Sequence, residues 1–463
     1  MADLRDRLAA QAEHAAGAAR APGPAATLRR ARGRRRRRLG GRVALSLLLV
    51  AGLGGLTSRL LEGREPASPP QTTTPAQRQA APLWTAEGAA SELMAPRDRT
   101  QAAAGDLVVA ATGFGPEGRT RAYDPRSGRQ RWAHRTGPNA FVVAAGGGLA
   151  VAAPQYGPLI GLDLATGEER WRFELAEGQG PESGTIAGDT LFIGTSFPSE
   201  GAVDPPIVYA LDLASGRERW RAVLDPGTDL QWAAPVVGGG QVLVADTLSH
   251  EGSAPTSHLH ALDADTGRRR WRADLHAPGQ GFFAEGPVVS EGLAYVAATS
   301  GMLLAVDTRT GREVWRDQGG FPLVAGVWDG LVIALVGGDR LVGFDAATGA
   351  RRWQTPVGRG ESEQWAVLDG DAVLVTGDGA VVAADAATGA ARWRAAVGDA
   401  VGQPVAAGER VYVATQDRLV AIDRASGTTV WGSARVRPVA APLVTSGRVV
   451  VATRDGTLLG FAP

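Results

Sequence analysis

The sequence contains no cysteine in its 463 residues. That excludes a disulfide framework, a thiolate metal site, a haem-attachment motif and the lipobox cysteine of a lipid anchor. Every basic side chain is arginine, and asparagine occurs only at Asn139. Aromatic residues are scarce at 6%, yet 12 are tryptophan against 10 phenylalanines and 5 tyrosines. Such an excess of the largest ring predicts one structural task repeated along the chain. No interior segment carries a helical period, no Gly-rich phosphate loop sits between a strand and a helix, and no G-x-S-x-G elbow occurs. Pairs such as Gly338-Asp339 are turn residues.

The net charge of zero hides an asymmetry. Residues 1–42 hold 12 Arg against Asp3, Asp6 and Glu13, a net of +9, so the remainder carries −9. A mildly acidic body argues against nucleic acid as its ligand. The arginine run 34–38, followed by Arg42, lies directly before the uncharged stretch 43–58. A spanning helix needs about 20 residues; the flanks extend this one to residues 39–61, with Arg42 and Arg59 snorkelling to the headgroups. The basic side stays in the cytoplasm. A cleaved signal peptide is the rival reading, but no small-x-small site follows, so an uncleaved signal anchor is expected. The expected organisation is therefore a basic cytoplasmic tail at 1–38 and a transmembrane signal-anchor helix at 39–61. A disordered Pro/Thr/Gln linker follows at 62–82, and then a body at 83–463 outside the cell membrane.

One nine-residue frame recurs eight times in that body: Asp, three residues, Gly, three residues, Trp. It stands at Asp124-Gly128-Trp132, Asp163-Gly167-Trp171, Asp212-Gly216-Trp220 and Asp263-Gly267-Trp271. It continues at Asp307-Gly311-Trp315, Asp345-Gly349-Trp353, Asp385-Gly389-Trp393 and Asp423-Gly427-Trp431. Ser or Thr always precedes the glycine, and short apolar strands precede each Asp. The carboxylate can accept N–H groups of the following turn, glycine supplies the positive φ that closes a hairpin, and the tryptophan falls on the returning strand. One such sheet cannot bury its own faces, so the units must stack, and radial closure gives a propeller.

The segments ALDLASGRERW (210–220) and ALDADTGRRRW (261–271) resemble the tryptophan-docking repeats of the pyrroloquinoline-quinone (PQQ) propeller family. The resemblance covers 83–463 and implies an all-β fold: a PQQ-like β-propeller of eight or nine four-stranded blades, preceded by the one transmembrane helix. Leu83-Trp84 reads as an outer strand separated from its blade, which the C-terminal strands would complete, closing the ring and removing two edges. The first unit, weak around 99–105, is expected to be irregular. Quinoprotein enzymes of the family hold PQQ on the axis with Ca²⁺, an Asp base and, in many members, a disulfide of adjacent cysteines. This chain departs from them in lacking cysteine and in having only Asn139 for the amide ligand. No cofactor is expected, PQQ with Ca²⁺ being the alternative.

An Asp that recurs in every unit has no reason to be catalytic in one, so the frame is structural. His250, His258 and His260 lie in or just after the longest insertion, with Glu251 and His276 nearby; the bland reading, incidental surface histidines and no metal, is preferred to a zinc site. Gln231, Trp232, Phe282, Phe283, Gln364 and Trp365, with Glu182 and Glu285, sit where each outer strand hands over to the next blade. They form either a binding surface for a peptide or glycan or padding between blades. The insertions at 196–206 and 246–257 are second candidates for partner contact. The function expected is a non-catalytic protein-interaction scaffold of the cell envelope, with envelope or membrane proteins as partners. The related lipoprotein of outer-membrane β-barrel assembly has an anchor cysteine that is absent here, so its role carries over only as an envelope scaffold. Ligand sensing through Trp232, Phe283 and Trp365 is one alternative, and a PQQ-dependent dehydrogenase is the other.

Overall fold

The computed structural model describes residues 78–87, 101–112, 117–196, 205–225, 228–230, 235–248, 256–275, 286–298, 301–320, 322–358 and 364–463. Those residues form nine sheets joined by turns, with no helix among them. The expected anchor helix lies outside the described residues; among the latter, no helix is long and apolar enough to cross a membrane.

Eight sheets are antiparallel meanders of consecutive strands. Blade 1 runs from Gln101–Ala104 to Gln130–Arg135, blade 2 from Phe141–Gly146 to Glu169–Phe173, and blade 3 from Gly180–Ala187 to Glu218–Val223. Blade 4 runs from Thr228–Leu230 to Arg269–Leu275, blade 5 from Val288–Ser290 to Glu313–Asp317, and blade 6 from Pro322–Trp328 to Arg351–Pro356. Blade 7 runs from Ala366–Asp369 to Ala391–Ala396 and blade 8 from Val405–Ala407 to Thr429–Ser433. Blade 9 is split: Trp84–Glu87 pairs antiparallel with Thr457–Phe461, outside Arg448–Ala452 and Leu443–Thr445. The blade number is nine, and blade 1 is a regular four-stranded sheet rather than the irregular one.

Each frame builds the same turn. The Asp163 carboxylate accepts the N–H groups of Ala165 and Thr166 at 3.0 and 2.9 Å and the Thr166 hydroxyl at 3.1 Å. Its other oxygen takes the Arg170 guanidinium at 2.7 Å, a partner the frame itself does not announce. The eight frame glycines have φ between +68° and +75°, the left-handed region open to glycine. A second constraint acts on the same residues. A Cβ on any of them would come within 2.3–2.6 Å of the tryptophan ring of the preceding blade. Ring and glycine are therefore the two halves of one joint. In seven blades the indole also donates its N–H to a carbonyl of the next blade, from Trp84 to Pro125 at 2.9 Å through Trp393 to Arg424 at 2.9 Å. Trp353 docks on Gly389 with its N–H buried and unpaired. Trp431 faces blade 9, which has no frame turn, and stacks on Phe461 at 5.9 Å.

The apolar core follows from this. Among the described residues there are nine clusters of buried apolar side chains, and each spans one interface between adjacent blades. No blade has a core of its own, so the ring is stable only as a closed set.

The N-terminal end closes it. The Leu83 N–H donates to Gly460 at 2.7 Å, Trp84 docks on Gly128, and the Tyr123 hydroxyl donates to the Glu87 carbonyl at 2.6 Å. The ordered body begins before the expected boundary at residue 83. Arg78–Ala80, placed in the disordered linker by its composition, pairs parallel with Trp431–Ser433 as a fifth strand of blade 8. An open outer edge offers backbone partners to any extended segment, which composition does not reveal.

Two predictions follow from the joint. Trp393→Phe leaves the Arg424 carbonyl without its donor and is expected to cost about 1–2 kcal/mol more than Trp353→Phe, whose N–H has no partner to lose; urea melts of the two variants test this. Arg170, Arg270 and Arg352 hold the carboxyls of Asp163, Asp263 and Asp345 at about 2, against about 3.9 in an unfolded chain. The stability they add is complete above about pH 4 and is lost as the pH falls toward 2. Resistance to urea should therefore be level between about pH 7 and 5 and decline below about 4.

Candidate functional site

Blade 4 is where the repeat breaks. Its inner strand is divided into Thr228–Leu230 and Val236–Gly238, which pair with the two ends of Gln241–Leu248. That strand and its neighbour Thr256–Asp263 are each eight residues long. The chemistry sits within the span that strands of other blades also cover, as Thr190–Ser196 and Ile207–Asp212 do. Asp246 lies directly opposite His258, and His260 opposite Val244, so all three side chains share one face of the sheet. Val242, Val244 and Leu262 on that face pack against Phe192, Val208, Ala210 and Trp220 of blade 3. The polar group therefore extends the blade 3–blade 4 interface toward the insertion.

Asp246 and His260 are completely buried and His258 is 6% exposed. The Nδ1 of His258 is 2.8 Å from one carboxylate oxygen of Asp246, and the Nε2 of His260 is 2.8 Å from the other. The two rings meet edge to face, with centroids 6.1 Å apart. Burial alone would raise the Asp246 carboxyl, but the bonds from His258 and His260 outweigh it and the net shift is downward. Around the triad stands a second layer of charge. The Nε2 of His258 is 3.8 Å from Asp274, and Arg272 reaches Asp274 at 2.8 Å and Asp225 of blade 3 at 2.6 Å. Burial pushes Asp225 up, whereas Arg272, Arg269 and the charge of His260 bring it down to about 2. The Nδ1 of His260 is buried without a hydrogen-bond partner.

The surface placement expected for these histidines is corrected: His258 and His260 are interior residues, because their face of the sheet is covered by blade 3. His250, Glu251 and His276 lie outside the described residues. Asp246 is the partner that sequence reasoning missed, since it stands where the strand was expected to give way to a loop. A signal was present in the repeat itself. Asp246 lies five residues beyond Gln241, the residue paired with the frame Asp263. The corresponding residues of blades 1, 3 and 8 are Thr112, Thr195 and Thr415, and those of blades 2, 5, 6 and 7 are Pro154, Ala298, Val336 and Gly377. His260, three residues before the frame aspartate, replaces Ile160, Leu304, Val342, Val382 and Val420. Two departures from the repeat fall in one blade, and they touch.

Of the expected binding surface, only Gln364 and Trp365 are described; Gln231, Trp232, Phe282, Phe283 and Glu285 lie outside. Trp365 is half-buried with its indole N–H enclosed and unpaired, and its backbone is held by Thr376 at 2.9 Å. Gln364 donates to the Gly358 carbonyl at 3.3 Å. Glu182 is buried in the inner strand of blade 3.

The described inner strands carry three carboxylates, Glu182, Asp229 and Asp369, in three different blades, and Asp369 is paired with Arg424 at 2.7 Å. The amide of Asn139 is bonded to Gln155 at 2.7 Å. Among the described residues, the one group of three or more acidic or histidine side chains close enough to share an ion is Asp246, His258 and His260.

A family model described as the outer membrane protein assembly factor BamB matches residues 116–205, 204–364 and 337–463. The quinohemoprotein alcohol dehydrogenase of Comamonas testosteroni is 34% identical over 143 residues, which span 26% of this chain and 19% of that protein. Among solved structures, BamB from Moraxella catarrhalis superposes with a TM-score of 0.51 at 19% identity, over 83% of this chain and 100% of that one. The solved Comamonas testosteroni quinohemoprotein alcohol dehydrogenase gives 0.52 at 16% identity, over 85% and 78% of the two chains. At these identities the structural likeness is one of fold.

Removing Asp246 leaves two buried rings without their acceptor. Asp246→Ala is expected to lower stability by about 3–5 kcal/mol, measured by urea denaturation at neutral pH.

Proposed function

Since the chain belongs to the family of the outer membrane protein assembly factor BamB, we propose that it is a non-catalytic interaction scaffold of the cell envelope. In this reading the propeller is held outside the cell membrane by the apolar segment at 39–61, which serves in place of a lipidated cysteine. The observation that carries it is the internal use of the repeated chemistry. The frame aspartates are committed to their own turns and the glycines to the tryptophans of the preceding blades. The blades also differ in the length of their insertions along the sequence, and those are the segments we assign to partners.

The alternative is a PQQ-dependent dehydrogenase, supported by the 34% identity over 143 residues to the quinohemoprotein enzyme. That match spans 19% of the enzyme's length, and this chain has neither a cysteine pair nor an asparagine besides Asn139.

Crosslinking of the full-length protein in intact membranes, followed by purification, is expected to recover a reproducible set of envelope proteins. PQQ with Ca²⁺, titrated into the purified chain, is expected to leave its melting temperature unchanged. Saturable PQQ binding accompanied by dye-linked oxidation of an alcohol would overturn the scaffold reading.

A further inference from the structure

We propose that Asp246, His258 and His260 form a binding site for a divalent transition-metal ion of the zinc type, set between blades 3 and 4. The donor atoms of these three residues all lie within 4.8 Å of one another, and all three residues are buried. Two imidazoles and a carboxylate are the donor set preferred by zinc and its first-row neighbours, and they are too poor in oxygen for Ca²⁺ or Mg²⁺. Ligands about 2.0–2.2 Å from a tetrahedral ion stand roughly 3.3 Å apart. The contacts of 2.8 Å between Asp246 and each ring therefore need to open by about half an ångström, within reach of side-chain torsions on paired strands.

Three further observations favour an ion over a self-sufficient hydrogen-bonded group. A carboxylate removed from water needs compensating charge. Among the described residues, the Asp246 side chain is bonded by the two histidine rings and by no arginine. One outer nitrogen, that of His258, is placed as a metal site requires. A ligating histidine commonly gives its other N–H to a carboxylate, and the Nε2 of His258 faces Asp274, itself held by Arg272. The Nδ1 of His260 is buried without a partner, so the ring is engaged through Nε2 alone, toward Asp246. Lastly, five other blades place an aliphatic side chain where His260 stands, and no other frame-bearing blade has an acid where Asp246 stands. Their packing shows that neither residue is needed to join two blades.

On binding, the ion takes the places of the hydrogens that the two rings present to Asp246. Each neutral ring keeps one proton, now on its outer nitrogen: Nε2 of His258, toward Asp274, and Nδ1 of His260. The ligands come from two adjacent strands whose shared face packs on blade 3, so the site acts as a clasp at the edge of that interface.

Chelator-washed full-length protein is titrated with Zn²⁺ by calorimetry, and with Co²⁺ while the visible ligand-field bands are recorded. One equivalent of Zn²⁺ should bind and raise the melting temperature, Co²⁺ should give the spectrum of a four- or five-coordinate nitrogen–oxygen site, and Ca²⁺ should give no heat. The variant His258→Gln/His260→Gln should lose the site. Asp274→Asn, a change at a half-exposed residue that leaves the core intact, should retain the fold and weaken Zn²⁺ binding by about 10-fold or more. Absence of stoichiometric binding, Zn²⁺ binding unchanged in the double variant, or unchanged affinity in Asp274→Asn would each overturn the proposal. These outcomes are independent of whether the propeller proves to be a scaffold or an enzyme.

Discussion

The structure depends on one contact made repeatedly: a tryptophan ring laid on the glycine of the next blade's turn. It joins two requirements that are separate in most hairpins. The glycine must be glycine because its φ is near +70°, and again because the ring occupies the space of a side chain. The aspartate holds the turn in shape so that the ring meets a flat surface, and in five blades an arginine of the returning strand neutralises it at the rim. Since each of blades 1 to 8 supplies a ring to one neighbour and a glycine to the other, the contact has a direction around the axis. The nine apolar clusters lie between blades because the contact places them there.

Most of this architecture is legible in the sequence, for a specific reason. The frame is spaced by covalent geometry, with no insertion tolerated between the carboxylate, the glycine and the ring, so Asp163, Gly167 and Trp171 announce themselves as a unit. The split blade is legible for the converse reason: Trp84 has a ring and no turn, and Thr457–Phe461 has a strand and no ring. The strand Arg78–Ala80 is not legible, because its order comes from the exposed edge of Thr429–Ser433 and not from its own composition.

The candidate site is half legible. Alternation places His258 and His260 on one face, but burial is a property of the neighbouring blade, and a period of two does not report it. Asp246 is hidden by the ordinary expectation that a strand ends where polar residues begin. Thr195 shows what that position does elsewhere: its hydroxyl bonds Gln179 at 2.6 Å and the Ile207 carbonyl at 3.0 Å, a small buried polar link. Blade 4 replaces the link with a charge and surrounds it with rings, which only a comparison of blades in register brings out.

The split blade also bears on the order of events in the life of the chain. Trp84 and Gly460 face each other from opposite ends of the described sequence, so the ribosome makes them far apart in time. Until residues 443–461 emerge, the first outer strand has no sheet to join and blade 9 does not exist. Earlier blades can stack as they appear, each covering one side of its predecessor, but the growing arc keeps two apolar flanks open throughout synthesis. A contact so distant in sequence forms late. A chain truncated by even its last two strands is therefore an open arc with both ends adhesive, a species whose natural fate is association with another copy of itself.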